Sequence, residues 1–362
     1  MMRSLKMRYG NNEQPVISVI VVSYHTRKEF LLNAIKSLNF QTLSRHLFEI
    51  IVVKDYADQE IEEMAKESKL FSIILGDEEF QNVGMKFSEG IKVARGTVVT
   101  FLEDDDYYDK ERLEKIYVAF EKHPDAGLYL NGHYFVYEEN SKVSGDSGYS
   151  SGVSTFESTT ELHSRVYEHI NVLMADANSS SIAVRRNLLL PYLTELSMNN
   201  NTPDWFIIFC AVDSMHSVIL EKRKLTFVTI HSGSLSKTAD AGYHFFMYER
   251  SKFFLKRSTD FRLISSIMKC RDLRGAALWD MLRYRQWGYI FDRNPRKKEV
   301  TENLAETVRY LISHEARPDK LFNAASFTLS SLAYLFFPRQ IRFLYYLQFQ
   351  HLKANSPRHS GS

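Results

Sequence analysis

Residues 98–109 read VVTFLEDDDYYD, and the rest of the chain is arranged around them. The first five residues are apolar or β-branched, which predicts a strand buried on both faces. Glu103 to Asp106 then place four carboxylates in a row with no Lys or Arg among them. Because like charges repel, the run favours a bound cation, and Mg²⁺ or Mn²⁺ takes such oxygen ligands. A solvated acidic turn before the next helix is the alternative that these residues leave open.

Apolar strands alternate with helical patterns on the amino-terminal side of this stretch. Strands are predicted at 16–23, 49–53 and 72–75, and helical patterns follow them at 30–38, 58–69 and 85–94. The alternation predicts an α/β fold in which βαβ crossovers build a mostly parallel sheet flanked by helices. Ligands of such sheets bind beyond the carboxyl ends of the strands. Ser23, Tyr24, Asp55 and the acidic run 103–106 are therefore expected along one rim.

The pattern changes near residue 236, after which only helices are predicted. We therefore expect an N-terminal tail at 1–14, an α/β domain at 15–236 and an all-helical C-terminal region at 237–362. With 46 basic and 44 acidic residues, the chain has no charge excess that would indicate nucleic acid as a partner. The sequence favours a cytoplasmic protein. Its two cysteines are far apart, and it has neither an apolar N-terminal segment nor a long apolar run without charge.

Seven short motifs occur in a characteristic order along residues 15–236: VISVIVVSY, EIIVVKD, N-V-G before a helix, ARGTVVTFLEDDD, SSSIAVRR, PDW and HSGSLS. In this order and spacing the region resembles family 2 glycosyltransferases, which have the Rossmann-like GT-A fold. The resemblance implies a nucleotide-binding half at about 15–106 and an acceptor half at about 107–236. It also implies an inverting, metal-dependent hexosyltransferase that uses a UDP-sugar, or alternatively a GDP-sugar, and a glycan or lipid-linked hydroxyl acceptor.

The resemblance assigns the metal to the acidic run. Asp105 is implied as the direct ligand of Mn²⁺ or Mg²⁺, with Glu103 beside it in a DXD-like motif whose first acid is usually Asp. His231 is implied as a further ligand, although a strand-end histidine that only forms hydrogen bonds is the alternative. The metal would stabilise the negative charge that develops on the departing diphosphate.

The donor contacts implied by the resemblance lie on the same rim. Asp55 would accept a hydrogen bond from the base, and its alternative role is to cap the following helix. The other implied nucleotide-binding residues are Ser23, Tyr24, Asn82, Gly84 and Asp104. Lys54 occupies the position of a second acid in the family, which puts a lysine beside the base or diphosphate. Lys86 stands in for a missing arginine.

Asp204 matches the family's catalytic base. A carboxylate there would take the proton of the acceptor hydroxyl as its oxygen attacks the anomeric carbon. The N-terminus of a helix stabilises such a charge, but Pro203-Asp204 is also an ordinary helix start. The Gln-x-x-Arg-Trp signature of processive relatives is absent after Asp204, which favours transfer of a single sugar.

Two other functions remain open from the residues. A nucleotidyltransferase shares the sheet and the metal site, but it needs a glycine-rich loop after the first strand, and residues 23–27 contain no glycine. A non-catalytic sugar-nucleotide-binding or membrane-interaction module would retain the fold without turnover.

In the C-terminal region, residues 321–337 carry no charge and no acidic residue follows Asp319. This pattern indicates an interfacial segment on anionic lipid, or else a helical core or homodimer contact.

Overall fold

The computed structural model describes residues 14–24, 28–67, 71–76, 82–137, 142–144, 153–156, 178–231, 243–292, 294, 296–313 and 321–354. The chain divides into two compact units, one comprising Met1–Val136 and Asp146–Thr229, the other Tyr137–Gly145 and Ile230–Ser362. Residue 236, where the composition predicts the boundary, and most of the predicted tail 1–14 lie outside the described residues.

The first unit is built on strands and helices that alternate up to the acidic run. In chain order its elements are β1 (Ile17–Ser23), α1 (Lys28–Asn39), β2 (Phe48–Lys54), α2 (Gln59–Glu67), β3 (Phe71–Leu75), α3 (Val83–Val93), β4 (Val98–Glu103), β5 (Tyr107–Tyr108), α4 (Arg112–Lys122) and β6 (Ala126–Tyr137). After β7 (Lys142–Ser144), which belongs to the second unit, come β8 (Val153–Phe156), β9 (Ile182–Arg185), α5 (Leu193–Met198), α6 (Pro203–Asp213) and β10 (Ser217–Ile230).

The sheet is mixed. Its strand order is β3-β2-β1-β4-β9-β6-β10-β5. The four strands from β3 to β4 are parallel to one another, as the βαβ pattern predicts. Beyond β4 the pairing is antiparallel, between β4 and β9, between β9 and β6, and between β10 and β5. The parallel part is therefore confined to the half that precedes the acidic run.

The parallel strands are buried on both faces, which accounts for their continuous apolar sequences. Val19 and Val21 of β1 share a core cluster with residues of α1 and α4. Ile20 points to the other face, where a Cβ atom on Gly90 of α3 would lie 2.5 Å from it. There Phe87 packs on Phe101 with ring centroids 4.5 Å apart. Helices on both sides thus hold the strands in register.

The second unit is mainly helical. Its helices are α7 (Tyr243–Ile267), α8 (Arg271–Phe291), α9 (Lys297–Ile312), α10 (Leu321–Phe336) and α11 (Pro338–Ala354). Its core is rich in aromatic residues, including Phe246, Phe254, Phe291 and Tyr334. Among the described residues, no helix combines the length and apolar character needed to cross a membrane.

Candidate active site

The carboxyl ends of β1, β2 and β4 meet at one edge of the sheet. In the parallel registers, Ser23 lies beside Lys54 and Val22 lies beside Glu103. Asp55 directly follows the last residue of β2. The structure therefore brings the ends of the three predicted motifs together, although they are up to 80 residues apart in sequence.

The acidic turn after β4 alternates between buried and partly exposed carboxylates. Asp104 and Asp106 are buried, whereas Glu103 and Asp105 retain partial exposure. The backbone N–H of Tyr24 donates to Oδ2 of Asp104 at 3.0 Å, so this carboxylate ties the turn to the end of β1. Glu103 and Asp105 are left as the two carboxylates of the turn that solvent reaches.

Asp106 fixes the other side of the turn. Its Oδ2 accepts a hydrogen bond from Ser180 Oγ at 2.6 Å, and its Oδ1 accepts one from Thr229 N at 3.1 Å. The same Ser180 hydroxyl accepts from Glu103 N at 3.0 Å. Burial, followed by the nearby charges of Asp105 and Glu103, raises the pKa of Asp106 well above its usual value. Asp106 is therefore a structural residue of the turn.

Glu103 and Asp105 are the residues of the turn that could hold a divalent cation. The repulsion that raises the pKa of Asp106 comes from Asp105 and Glu103, and a cation held by these two would relieve it. Both are hard oxygen donors of the kind that Mg²⁺ and Mn²⁺ select. Within the described part of the chain, no three His, Cys, Asp or Glu residues form a cluster that could hold a metal. A cation here would therefore need further oxygen ligands from water and phosphate.

His231 immediately follows β10 and is only 5% exposed. His231 belongs to the second compact unit of the chain, whereas Glu103 and Asp105 belong to the first. Its assignment as a metal ligand stays a prediction.

Lys86 of α3 connects the predicted donor residues. Its Nζ donates to the carbonyl oxygen of Ser23 at 2.5 Å and to Oδ2 of Asp55 at 3.1 Å. The same ammonium lies 3.5 Å from the centroid of the Tyr24 ring. Lys86 is fully buried and the side chain of Asp55 is 7% exposed. One buried cation thus organises the three residues, a larger role than the replacement of an arginine predicted from sequence.

Replacing Lys86 by Met is expected to lower the free energy of unfolding by about 3–5 kcal/mol, because the carboxylate of Asp55 stays buried without its cation. Urea titration measures the change. Lys92→Met, on the same helix but exposed and paired with Glu89, is the matched control and should change stability by about 0.5 kcal/mol or less. Adding Asp55→Asn to the Lys86 variant should restore part of the loss. Equal stability of the two lysine variants would contradict the assigned ion pair.

Lys54, at the end of β2, forms an ion pair with α2. It is fully buried, and its Nζ lies 3.3 Å from Oε1 of Glu62 in α2 and 5.2 Å from the centroid of the Tyr56 ring. Burial lowers the pKa of Lys54, and the Glu62 carboxylate acts in the opposite direction. Lys54 therefore pairs β2 with α2, and its position beside the base or diphosphate stays a prediction.

Tyr56 was missed by the sequence analysis. Its hydroxyl lies 2.7 Å from Ser23 Oγ, and the two groups share a hydrogen bond. Burial raises the pKa of Tyr56 to about 12, with further contributions from the Asp104, Asp58 and Asp55 carboxylates. The phenol therefore stays protonated and orients the Ser23 side chain at the end of β1. A tyrosine directly after the EIIVVKD motif was the available signal.

Asn82 and Gly84 hold the start of α3 against the end of α5. Asn82 Oδ1 accepts from Gly84 N at 2.8 Å and caps α3, while its Nδ2 donates to the carbonyl oxygen of Ser197 at 3.1 Å. A Cβ atom on Gly84 would lie 2.1 Å from the carbonyl oxygen of Leu196 and 2.4 Å from that of Asn199. Glycine is therefore required by a close backbone approach. A direct nucleotide contact by either residue stays a prediction.

Asp204 lies in the first turn of α6, directly after a loop that Gly84 contacts. Gly84 N donates to the carbonyl oxygen of Asn199 at 3.2 Å, and Asn199 Oδ1 accepts from Thr202 N at 3.0 Å. Asp204 follows in the first turn of the helix, partly exposed, and its Oδ1 accepts from Trp205 N at 2.8 Å. Hydrogen bonds therefore run from the start of α3 to the loop that carries the predicted base.

The region around this site is similar in sequence to known and putative glycosyltransferases. Residues 18–179 match the family model described as glycosyl transferase family 2. An uncharacterized glycosyltransferase of Methanocaldococcus jannaschii is 28% identical over 137 residues, 37% of this chain and 47% of the relative. The putative glycosyltransferase EpsH of Bacillus subtilis is 32% identical over 108 residues, 29% of this chain and 30% of the relative. The match thus spans less than half the length of each relative.

Solved structures show the same fold. The crystal structure of Staphylococcus aureus TarS 1–349 has a TM-score of 0.57 at 16% identity, covering 93% of this chain and 90% of TarS 1–349. Its complex with UDP-GlcNAc gives a TM-score of 0.57 at 15% identity, covering 93% and 91%. The predicted GT-A sheet with a helical C-terminal region is confirmed. The family model thus matches the part of the chain that carries most of the motifs on which the resemblance rests.

Proposed function

We propose that the chain is a metal-dependent, inverting glycosyltransferase that moves one sugar from a nucleotide-sugar to a hydroxyl acceptor. The observation that carries the proposal is that an acidic turn and a buried ion pair lie at the same edge of the sheet. Glu103 at the end of β4 lies in register beside β1, whose final residue Ser23 contacts the buried Lys86–Asp55 pair. A family 2 region with this arrangement has the parts for a donor diphosphate and a base.

The Asp55 carboxylate is the proposed acceptor for an N–H of the base. Lys86 fixes it in place and also sets the Tyr24 ring, which offers a face for base packing. A UDP-sugar is the proposed donor, and the UDP-GlcNAc complex of TarS, a protein of the same fold, supports this choice. The proposed donor site is completed by Ser23, Asn82, Gly84 and Asp104. The last three contribute by fixing the backbone at the end of β1 and at the start of α3.

Glu103 and Asp105 are the proposed protein ligands of Mn²⁺ or Mg²⁺. Their partial exposure makes them accessible to a cation that also meets phosphate oxygens. When bound, the cation supplies positive charge that stabilises the nucleoside diphosphate as it departs.

Asp204 is the proposed base. The acceptor oxygen forms a bond to the anomeric carbon while the bond from that carbon to the diphosphate oxygen breaks. The proton of the acceptor hydroxyl passes to Asp204, whose charge is stabilised by the N-terminus of α6 and by the N–H of Trp205. Attack from the side opposite the diphosphate inverts the configuration. The proposed acceptor is a hydroxyl of a glycan or of a lipid-linked glycan.

A thermal-shift screen tests the donor assignment. The protein is mixed with Mn²⁺ and with UDP-, GDP- or dTDP-sugars in turn. A ligand that binds only the folded state at 100 times its Kd stabilises it by about 2.7 kcal/mol, which a melting curve detects. We expect the largest shift with a UDP-sugar and a smaller one when EDTA replaces the metal. Absence of a shift with every donor would contradict the proposed site.

Gly84→Ala is expected to lower the transfer rate about 100-fold, because the added Cβ must displace the carbonyl oxygens of Leu196 and Asn199 and with them the Asp204 loop. Donor affinity, measured by calorimetry, should fall less than the rate, because Gly84 serves the proposed donor site only through its backbone. Ser88→Ala is the matched control, since it removes a hydrogen bond from the same helix to the Leu193 carbonyl without touching the loop. A parallel loss of donor affinity and rate would indicate general disruption instead.

A further inference from the structure

The outward faces of α10 and α11 are apolar. Nine residues between 327 and 347 are exposed, and all but Arg339 and Gln340 are large hydrophobic residues. These seven, which we call the apolar face, are 41–74% exposed: Leu329, Leu332, Phe336, Phe337, Phe343, Leu344 and Leu347. Exposed apolar patches of this kind mark surfaces that bind a partner or a membrane.

The apolar face is distinct from the side of each helix that packs into the second unit. Each helix has a second face that is already packed. On α10, Phe327, Ser331 and Tyr334 are buried. On α11, buried Arg342 donates to the carbonyl oxygen of Ile290 at 2.8 Å and to the Tyr334 hydroxyl at 3.1 Å. The residues of the apolar face on α10 and α11 follow at helical spacing on the opposite side. Each helix therefore carries apolar residues on its exposed side as well as on its packed side.

Charge distinguishes the candidate partners. No Asp or Glu occurs from residue 320 to residue 362, whereas this segment contains Lys320, Arg339, Arg342, Lys353 and Arg358. Arg339 is exposed between Phe337 and Phe343. Among the exposed residues between 327 and 347, Arg339 is the only charged one. A symmetric dimer through this face would bring Arg339 of both copies to one interface with no carboxylate from α10 or α11 to pair them. A membrane surface with anionic lipid matches both the apolar residues and the charge.

We propose that the apolar face of α10 and α11 inserts into the interfacial region of an anionic lipid bilayer, with Arg339 meeting lipid phosphates. The chain lies on the bilayer without spanning it, in keeping with the absence of a membrane-crossing helix among the described residues. The inference goes beyond the glycosyltransferase site, because it uses none of the residues assigned to donor or base. It would also place a lipid-linked acceptor at the surface to which the chain binds.

Sedimentation of the full chain with vesicles tests the proposal, without donor or acceptor. We expect binding to vesicles of phosphatidylcholine mixed with phosphatidylglycerol, weaker binding to phosphatidylcholine alone, and partial release by salt. The double variant Phe336→Ser/Phe343→Ser should lose about tenfold or more of its vesicle affinity. Phe40→Ser replaces a phenylalanine that is 76% exposed at the end of α1 and should bind as the wild type does. Arg339→Glu should weaken binding only to the anionic vesicles.

Two outcomes would overturn the proposal. One is equal sedimentation of the wild type and the double variant at matched melting temperature. The other is a wild type that binds neither kind of vesicle and is a dimer by light scattering, while the double variant is a monomer. That result would assign the face to contact with a second copy of the chain. Since vesicle binding requires no turnover, either result leaves the proposed glycosyltransferase site untouched.

Discussion

Asp204→Asn is expected to lower the rate of sugar transfer by about 10²–10⁴-fold, the range that a general base contributes. The replacement retains the Oδ1 acceptor used by the N–H of Trp205, so the start of α6 should keep its geometry. What it removes is the charge and basicity needed to take the acceptor proton. Donor affinity should therefore stay close to that of the wild type.

The measurement pairs donor turnover with donor binding by calorimetry. Asp213→Asn is the matched control, because it removes a carboxylate from the last turn of the same helix, far along it from Asp204. That variant should retain the wild-type rate. Unchanged turnover in Asp204→Asn would show that another group takes the proton.

Asp105→Asn is expected to weaken metal-dependent binding of a UDP-sugar by about tenfold or more, since a neutral amide is a poor ligand for a divalent cation. The affinity measured in EDTA should be the same as that of the wild type. The variant also removes one of the charges that raise the pKa of Asp106, so the apo protein should not lose stability. A melting curve without metal checks this second point.

Asp109→Asn is the control for charge in the same segment. Asp109 Oδ1 accepts from Glu111 N at 2.9 Å, a contact that asparagine preserves. Metal-dependent binding should be unchanged in this variant. If Asp105→Asn retains the same metal dependence as Asp109→Asn, the proposed ligand is wrong.

The parallel half of the sheet was predictable because its strands are buried on both faces and so read as unbroken apolar runs. Once these strands are parallel, their carboxyl ends must share one edge, which is why Asp55 and Glu103 could be placed on one rim from sequence. The antiparallel half was less accessible. β10 runs from Ser217 to Ile230, and its polar middle interrupts the apolar run that would mark a buried strand in the sequence.

Within the site, side-chain roles depended on contacts that a linear pattern does not encode. Asp105 and Asp106 are adjacent acids, and only the turn geometry sends one to solvent and the other to Ser180 and Thr229. Lys86 gains its role from the packing of α3 against the ends of β1 and β2. The same holds for Gly84, whose contact is with a loop more than 100 residues later.

The central claim is that this chain transfers a sugar from a nucleotide donor with the help of a cation held at Glu103 and Asp105. The most direct test is release of UDP from UDP-GlcNAc and other UDP-sugars by the purified chain, with Mn²⁺ or with EDTA, to water or to an added glycan. We predict steady UDP release with Mn²⁺ that EDTA abolishes and that Asp105→Asn greatly lowers. No release from any UDP-, GDP- or dTDP-sugar, or a release rate that neither EDTA nor Asp105→Asn lowers, would contradict this proposal.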